Sequence, residues 1–128
     1  MIRISTNFIK ELDRLSDYDR LKYEWIDNSG DIVTSYEDDY YDLFSSTGVA
    51  SALEDNPVVF GSEIDAAIRN LQRMMDTIDG YKHKPQDILD MPLMDVIRSE
   101  AARIARMLKV KNPNEGTTFE WFDPEKKV

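Results

Sequence analysis

The chain of 128 residues has no cysteine, a single histidine, and five glycines that stand apart from one another. Without cysteine there can be no disulfide, no thiolate metal site and no thiol nucleophile, and the composition fits a reducing compartment. Isolated glycines exclude a G-x-G-x-x-G fingerprint and a phosphate-cradling P-loop. A zinc site would need His83 plus several carboxylates, an uncommon ligand set. A Ser-His-Asp triad would also have to use His83, which stands in the connector Tyr81-Lys82-His83-Lys84. Neighbouring positive charge disfavours the protonated imidazole but does not by itself make a base. The expectation is an exposed loop histidine. No G-x-S-x-G nucleophile elbow is present.

Long apolar runs are missing as well. No stretch approaches the roughly 18 consecutive apolar residues of a spanning helix. The opening MIRISTNFIKELDRL is broken early by charge and lacks the apolar core of a signal peptide. The expectation is a cytoplasmic protein. Calcium loops fail on position: counting back from Gly30 and from Gly80 puts Trp25 and Met75 where the first acidic ligand belongs. Carboxylates are plentiful, but the two longest helical patterns carry no E-x-x-E or E-x-x-D pairs of the kind that helical pyrophosphohydrolases use. The sequence therefore predicts no catalytic residues, no cofactor and no metal site; the chain is expected not to be an enzyme.

What is present in excess is negative charge. The formal net charge is −9, a sign that repels nucleic acid and anionic membranes and favours a basic partner. Its distribution is uneven. From Tyr23 to Ile68 there is no Lys or Arg, while eleven carboxylates fall there: Glu24, Asp27, Asp31, Glu37, Asp38, Asp39, Asp42, Glu54, Asp55, Glu63 and Asp65. The flanks hold the other 14 acidic residues against all 16 basic ones. A solubility device normally mixes both signs. A concentrated field of one sign steers association instead.

Periodicity predicts an α+β, mainly helical domain over residues 1–122, followed by a polar tail at 123–128. Two long amphipathic helices, at 63–78 and about 91–109, pack with shorter helices and a small antiparallel sheet or hairpin. Ile64, Ile68, Leu71, Met75 and Ile78 form one stripe, with Ser62 and Asp65 as its capping pair and Gly80 as its stop. Asp65 with Arg69, and Arg73 with Asp76, are spaced to pair on the outer face. Leu93, Ile97, Ile104 and Leu108 form the second stripe, flanked by Val96, Ala101 and Met107, with Pro92 in the first turn. Glu100 falls inside that stripe, and Arg103 is its expected partner. Residues 5–15 read as a helix through Phe8, Leu12 and Leu15, capped by Ser5 or Thr6. Leu21, Tyr23 and Trp25 alternate with charged residues up to the turn signal Asp27-Asn28-Ser29-Gly30. Ile32-Val33-Thr34 then follows as a strand, a hairpin pattern; the same residues can also extend the first helix. Val49 to Leu53 reads as a short turn, Val58-Val59-Phe60 as an extended piece, and Lys84-Pro85 as the start of one turn to Leu89. Asn112 to Gly116 is a loop, and Thr117 to Phe122 is a strand expected to pair with the hairpin.

The segment Tyr36-Glu37-Asp38-Asp39-Tyr40-Tyr41-Asp42-Leu43-Phe44 is the expected binding element. Ser35 and Asp38 predict its cap. At about 100° per residue, Tyr36, Tyr40, Leu43 and Phe44 share an inward face, whereas Glu37, Asp38, Asp42 and Tyr41 turn outward. A tyrosine ringed by carboxylates offers rigid apolar area, a hydroxyl and selectivity for cations. The predicted contact set is Tyr41, Asp38, Glu37, Asp42, Asp39, Trp25, Glu54 and Asp55. This acidic helix followed by paired tyrosines resembles, in residue type and over Asp38 to Asp42 alone, the surface with which the DNase-colicin immunity proteins meet their nuclease toxins. The resemblance carries no residue roles with it.

The leading expectation is an acidic protein-binding inhibitor of immunity or antitoxin type that neutralises a basic partner such as a nuclease toxin. The alternatives are a phage-encoded DNA mimic acting against restriction or CRISPR nucleases, a structural or assembly subunit, and an enzyme of another type. A DNA mimic needs carboxylates that track a phosphate path over much of its surface, and the near-neutral flanks do not supply them.

Overall fold

Phe8, Leu12 and Leu15 recur at i, i+4 and i+7, and all three are buried, which sets the inward face of helix α1 (Asn7–Leu15). The structure is a computed structural model that describes residues 2–27, 34–110 and 119–125. It is mainly helical with one two-stranded sheet. In chain order it runs from strand β1 (Ile2–Ser5) through α1 and α2 (Tyr18–Lys22) into a π-helical turn (Tyr23–Asp27). Helix α3 (Tyr36–Tyr41) then passes into a second π-helical turn (Asp42–Ser46). Helices α4 (Val49–Asp55), α5 (Ser62–Asp76), α6 (Pro85–Leu89) and α7 (Pro92–Val110) follow, and strand β2 (Phe119–Phe122) comes last. No described helix is long and apolar enough to cross a membrane.

The two long helices form where their stripes predict them. α7 packs against both α5 and α1. Ile64, Ile68, Leu71 and Met75 of α5 meet Met94, Ile97, Ala101, Ile104 and Leu108 of α7 in one apolar core. Glu100 pairs with Arg103 as the spacing predicts, at 2.7 Å and 3.0 Å. Val96, expected beside the stripe, is exposed.

The sheet corrects the antiparallel expectation. β2 pairs with β1, not with an early hairpin, and the pair is parallel, with Ile2 opposite Phe119 and Ile4 opposite Trp121. A parallel pair needs a long crossover, and here the helices between the strands serve as one. Phe119 and Trp121 bring their rings onto Phe60, at centroid distances of 4.8 Å and 5.7 Å. Phe60 also stacks on Phe8 at 6.1 Å.

Leu21 to Trp25 is helical, not a strand. Leu21, Glu24 and Trp25 are buried while Lys22 and Tyr23 are exposed, an i, i+3, i+4 pattern. Residues 28–33 and 111–118 lie outside the described residues, so the expected turn at Asn28 to Gly30, the Ile32-Val33 strand and the loop from Asn112 do too. The end of the polar tail, 126–128, is likewise outside. Val49 to Leu53 belongs to a full helix, α4, which starts after Gly48 at φ 85°.

The start of α5 also differs from expectation. Its N-cap is Gly61, and Ser62 makes no cap hydrogen bond. Asp65 does not pair with Arg69. It is fully buried and accepts hydrogen bonds from the backbone N–H groups of Val59 and Phe60, each at 2.8 Å. Arg69 donates to the Leu53 carbonyl at 2.9 Å. Among the described residues Arg73 and Asp76 form no pair, and Asp76 accepts the Tyr40 hydroxyl instead.

Candidate functional site

Helix α3 begins with a complete capping box. Ser35 accepts from the Asp38 N–H at 3.2 Å, and the Asp38 carboxylate accepts from the Ser35 N–H at 3.2 Å. Three carboxylates in the first turn, Glu37, Asp38 and Asp39, also suit the positive end of the helix dipole. The inward face is the predicted one: Tyr36, Leu43 and Phe44 are buried, and Tyr40 is half-buried. Tyr36 donates its hydroxyl to the Met75 carbonyl at 2.5 Å, which ties α3 to α5. Burial, with Glu37 adding to it, pushes the Tyr36 hydroxyl far above its ordinary range.

On the outward side Tyr41 is 62% exposed. Asp38 is exposed beside it, and Asp42 and Glu37 are half-buried. Glu37 accepts the Gly80 N–H at 2.9 Å, which brings the turn after α5 against this helix. Between α1 and the second π-helical turn lies a cavity of about 230 Å³ lined by Asn7, Glu11, Asp42, Ser46 and Thr47. Glu54 and Asp55 are exposed on α4. Glu54 shares a cavity of about 270 Å³ with Arg69 and Gln72, so a cation stands beside it.

Two of the predicted contact residues are inside. Asp39 is 5% exposed and Trp25 is also 5% exposed. Trp25 donates its indole N–H to Asp39 at 2.7 Å, and its ring meets Tyr36 edge-on at 6.1 Å. Their place is a buried charge cluster centred on Arg14 of α1. The Arg14 guanidinium pairs with Glu24 and lies 2.8 Å from Asp39 and 3.2 Å from Glu11. Its remaining nitrogen donates to Thr34 at 2.7 Å. Arg20 approaches the other oxygen of Glu24 at 3.5 Å.

The cluster has more carboxylate than cation. Burial pushes the Asp39 carboxyl up to about 6, although Arg14 and the Trp25 N–H pull the other way. Burial raises Glu11 as well, opposed by Arg14 and reinforced by Asp42. For Arg14, burial works against the charge, but Asp39, Glu24 and Glu11 outweigh it and hold the guanidinium more firmly protonated.

The eleven carboxylates of the cation-free segment therefore divide. Glu24, Asp39 and Asp65 point inward. Asp27, Asp38, Glu54, Asp55 and Glu63 are exposed, and Glu37 and Asp42 are half-buried. Asp31 lies outside the described residues. Among the described residues no group of three or more His, Asp and Glu side chains is placed to hold a metal ion. His83 is exposed, as expected. The buried cluster escaped the sequence reading because its cation, Arg14, lies outside the cation-free segment. The signal that points to it is Arg14 itself, which falls three residues after Glu11 and between the apolar positions Leu12 and Leu15. Comparison with protein-family models, with curated proteins and with solved structures finds no match for this chain.

Proposed function

We propose that this chain is an acidic binding protein of immunity or antitoxin type that docks through the outward face of α3 onto a basic protein, such as a nuclease toxin, and catalyses nothing itself. One observation carries the reading: Tyr41, 62% exposed, projects between exposed Asp38 and half-buried Asp42 from a helix anchored on its inward face. That helix is capped at its start and tied to α5 through Tyr36. A rigid aromatic anchor ringed by charge loses little entropy on docking and selects cationic partners. The compartment that fits this reading is the cytoplasm.

A DNA mimic is the weaker reading. Three of the eleven carboxylates that would have to imitate phosphates are buried, and Arg69 stands beside a fourth, Glu54.

The test is capture from the native host with the wild-type chain and with a Tyr41→Ala, Asp38→Asn variant. A basic protein should be retained near 50 mM salt and lost near 500 mM, as expected for charge screened over about 10 Å at 0.1 M. The variant should release it, and the captured partner, if it is a nuclease, should lose activity when the wild-type chain is added back. Equal retention by both chains would remove α3 as the docking surface.

A further inference from the structure

The charged groups around Arg14 come from every element that meets there. α1 supplies Arg14 and Glu11, and α2 supplies Arg20. The first π-helical turn supplies Glu24 and the Trp25 N–H. α3 supplies Asp39, and the second π-helical turn supplies Asp42, which acts on Glu11. Three carboxylates thus share Arg14, Glu24 with the help of Arg20, and Asp42 adds a fourth negative charge beside Glu11, so negative charge is in excess around the buried Asp39.

The four are not equally served. Glu24 has two cations, Arg14 on one oxygen and Arg20 at 3.5 Å on the other. Glu11 and Asp42 are half-buried and reach the cavity of about 230 Å³, where solvent can enter. Asp39 has neither advantage. It is 5% exposed, and its single cation, 2.8 Å away, is shared with two other carboxylates. The space between Glu11, Arg14, Leu15, Asp39 and Leu43 leaves no volume for a water to make up the difference.

We propose that Asp39 is a proton-operated lock on helix α3, which takes one proton from solvent on mild acidification and thereby tightens the docking of α3 against α1. The direction follows from where the charge is worst placed. With α3 docked, an ionised Asp39 is buried near Glu11 and Glu24, with one cation that all three share. With α3 undocked, it regains water and its ordinary acidity. Docking therefore favours the protonated form, and by linkage the proton favours docking. Arg14 remains paired with Glu24 and Glu11 in either state, so the site loses no cation when the proton arrives. The proposal does not depend on the identity of any partner.

The experiment is carboxyl-carbon NMR of Asp39 in the intact chain from pH 4 to 8, with the Trp25 indole N–H as a second probe. Trp25 donates directly to Asp39, so both resonances should report one step in the region of pH 6. Hydrogen exchange of the α3 amides, corrected for the intrinsic pH effect, should become slower on going from pH 7.5 to pH 5, by up to about ten-fold. Asp39→Asn should remove the Trp25 step and most of the pH dependence of exchange, whereas Glu11→Gln should keep the Trp25 step. An Asp39 carbon that titrates near its ordinary value of 3.8 overturns the lock, even if Asp39→Asn does not fold. A step that survives Asp39→Asn, or one that disappears in Glu11→Gln, also overturns it.

Discussion

Asp39 and Tyr41 are two residues apart on one helix and face opposite ways: Asp39 is 5% exposed and Tyr41 is 62% exposed. Two residues turn an α-helix by about 200°, so one short segment holds itself to the core on one side and displays a tyrosine on the other. The acidic character of α3 accordingly has two origins. Asp38 caps the helix and remains in water, while Asp39 is drawn inside by Arg14 and Trp25.

That division predicts opposite results for neighbouring substitutions. Tyr41→Ala should change folding stability by less than about 0.5 kcal/mol, since an exposed side chain away from caps and cavities contributes little. Its effect belongs to partner affinity. Urea denaturation of the variant checks the first half, and a loss above about 1 kcal/mol would show that Tyr41 packs on the fold.

Arg14→Met should be severe. It keeps the apolar stem and removes the cation from buried Glu24 and Asp39. Breaking a buried pair from one side typically costs about 3–5 kcal/mol. Urea unfolding at pH 7.5 measures it, and acidification should recover part of the loss by neutralising the stranded carboxyls.

Stability should fall as pH rises between about 4 and 6. The Asp39 carboxyl is raised from 3.8 to about 6 in the folded chain, so the folded state holds a proton that the unfolded chain has released. Its stabilising contribution is complete below the unfolded value and is lost as pH passes the folded one. The difference amounts to at most about 3 kcal/mol at 1.36 kcal/mol per unit. Half-buried Glu11, raised in the same direction, adds to it. Urea midpoints at pH 5 and pH 7.5 give the comparison; a higher midpoint at pH 7.5 would contradict it.

Asp65→Ala should strand two buried amide donors, those of Val59 and Phe60, at a cost of about 2–4 kcal/mol. Asp65→Asn retains one acceptor oxygen and should cost less. Since Phe60 carries the ring cluster with Phe8, Phe119 and Trp121, near-ultraviolet circular dichroism should show the aromatic signal weaken together with stability.

Gly80→Ala should also destabilise, for steric reasons. An added Cβ would stand 2.5 Å from the Glu37 carboxylate and 3.0 Å from the Tyr36 ring. Such overpacking costs about 1–3 kcal/mol. A double-mutant cycle with Glu37→Ala tests the cause: the combined cost should be smaller than the sum, leaving only the part due to Tyr36.

The long helices were legible because an apolar stripe at i, i+4, i+7 is a local property and survives whatever the rest of the chain does. The α3 cap was legible for the same reason, since Ser35 and Asp38 act within one turn. Leu21 to Trp25 misled because burial of Glu24 broke the apolar pattern of a helix and left Tyr23 and Trp25 looking like one face of a strand. Glu24 is buried for a partner ten residues upstream, Arg14, and periodicity carries no information about that. The pairing of β1 was missed although Ile2 and Ile4 alternate with Arg3 and Ser5. Its partner strand lies at the far end of the chain, and two short strands specify neither pairing nor direction alone.

By itself the sequence determined the absence of thiol chemistry, the helical stripes, the cap of α3, the outward direction of Tyr41 and the confinement of the negative excess to one segment. These depend on composition and on angles between neighbours along the chain. Only the tertiary structure decided which of those carboxylates meet water. Glu24, Asp39 and Asp65 are inside because distant groups, a guanidinium from α1 and two backbone amides before α5, provide bonds that replace hydration. A buried charge is tolerated only where such a partner arrives, and its arrival is a property of the fold.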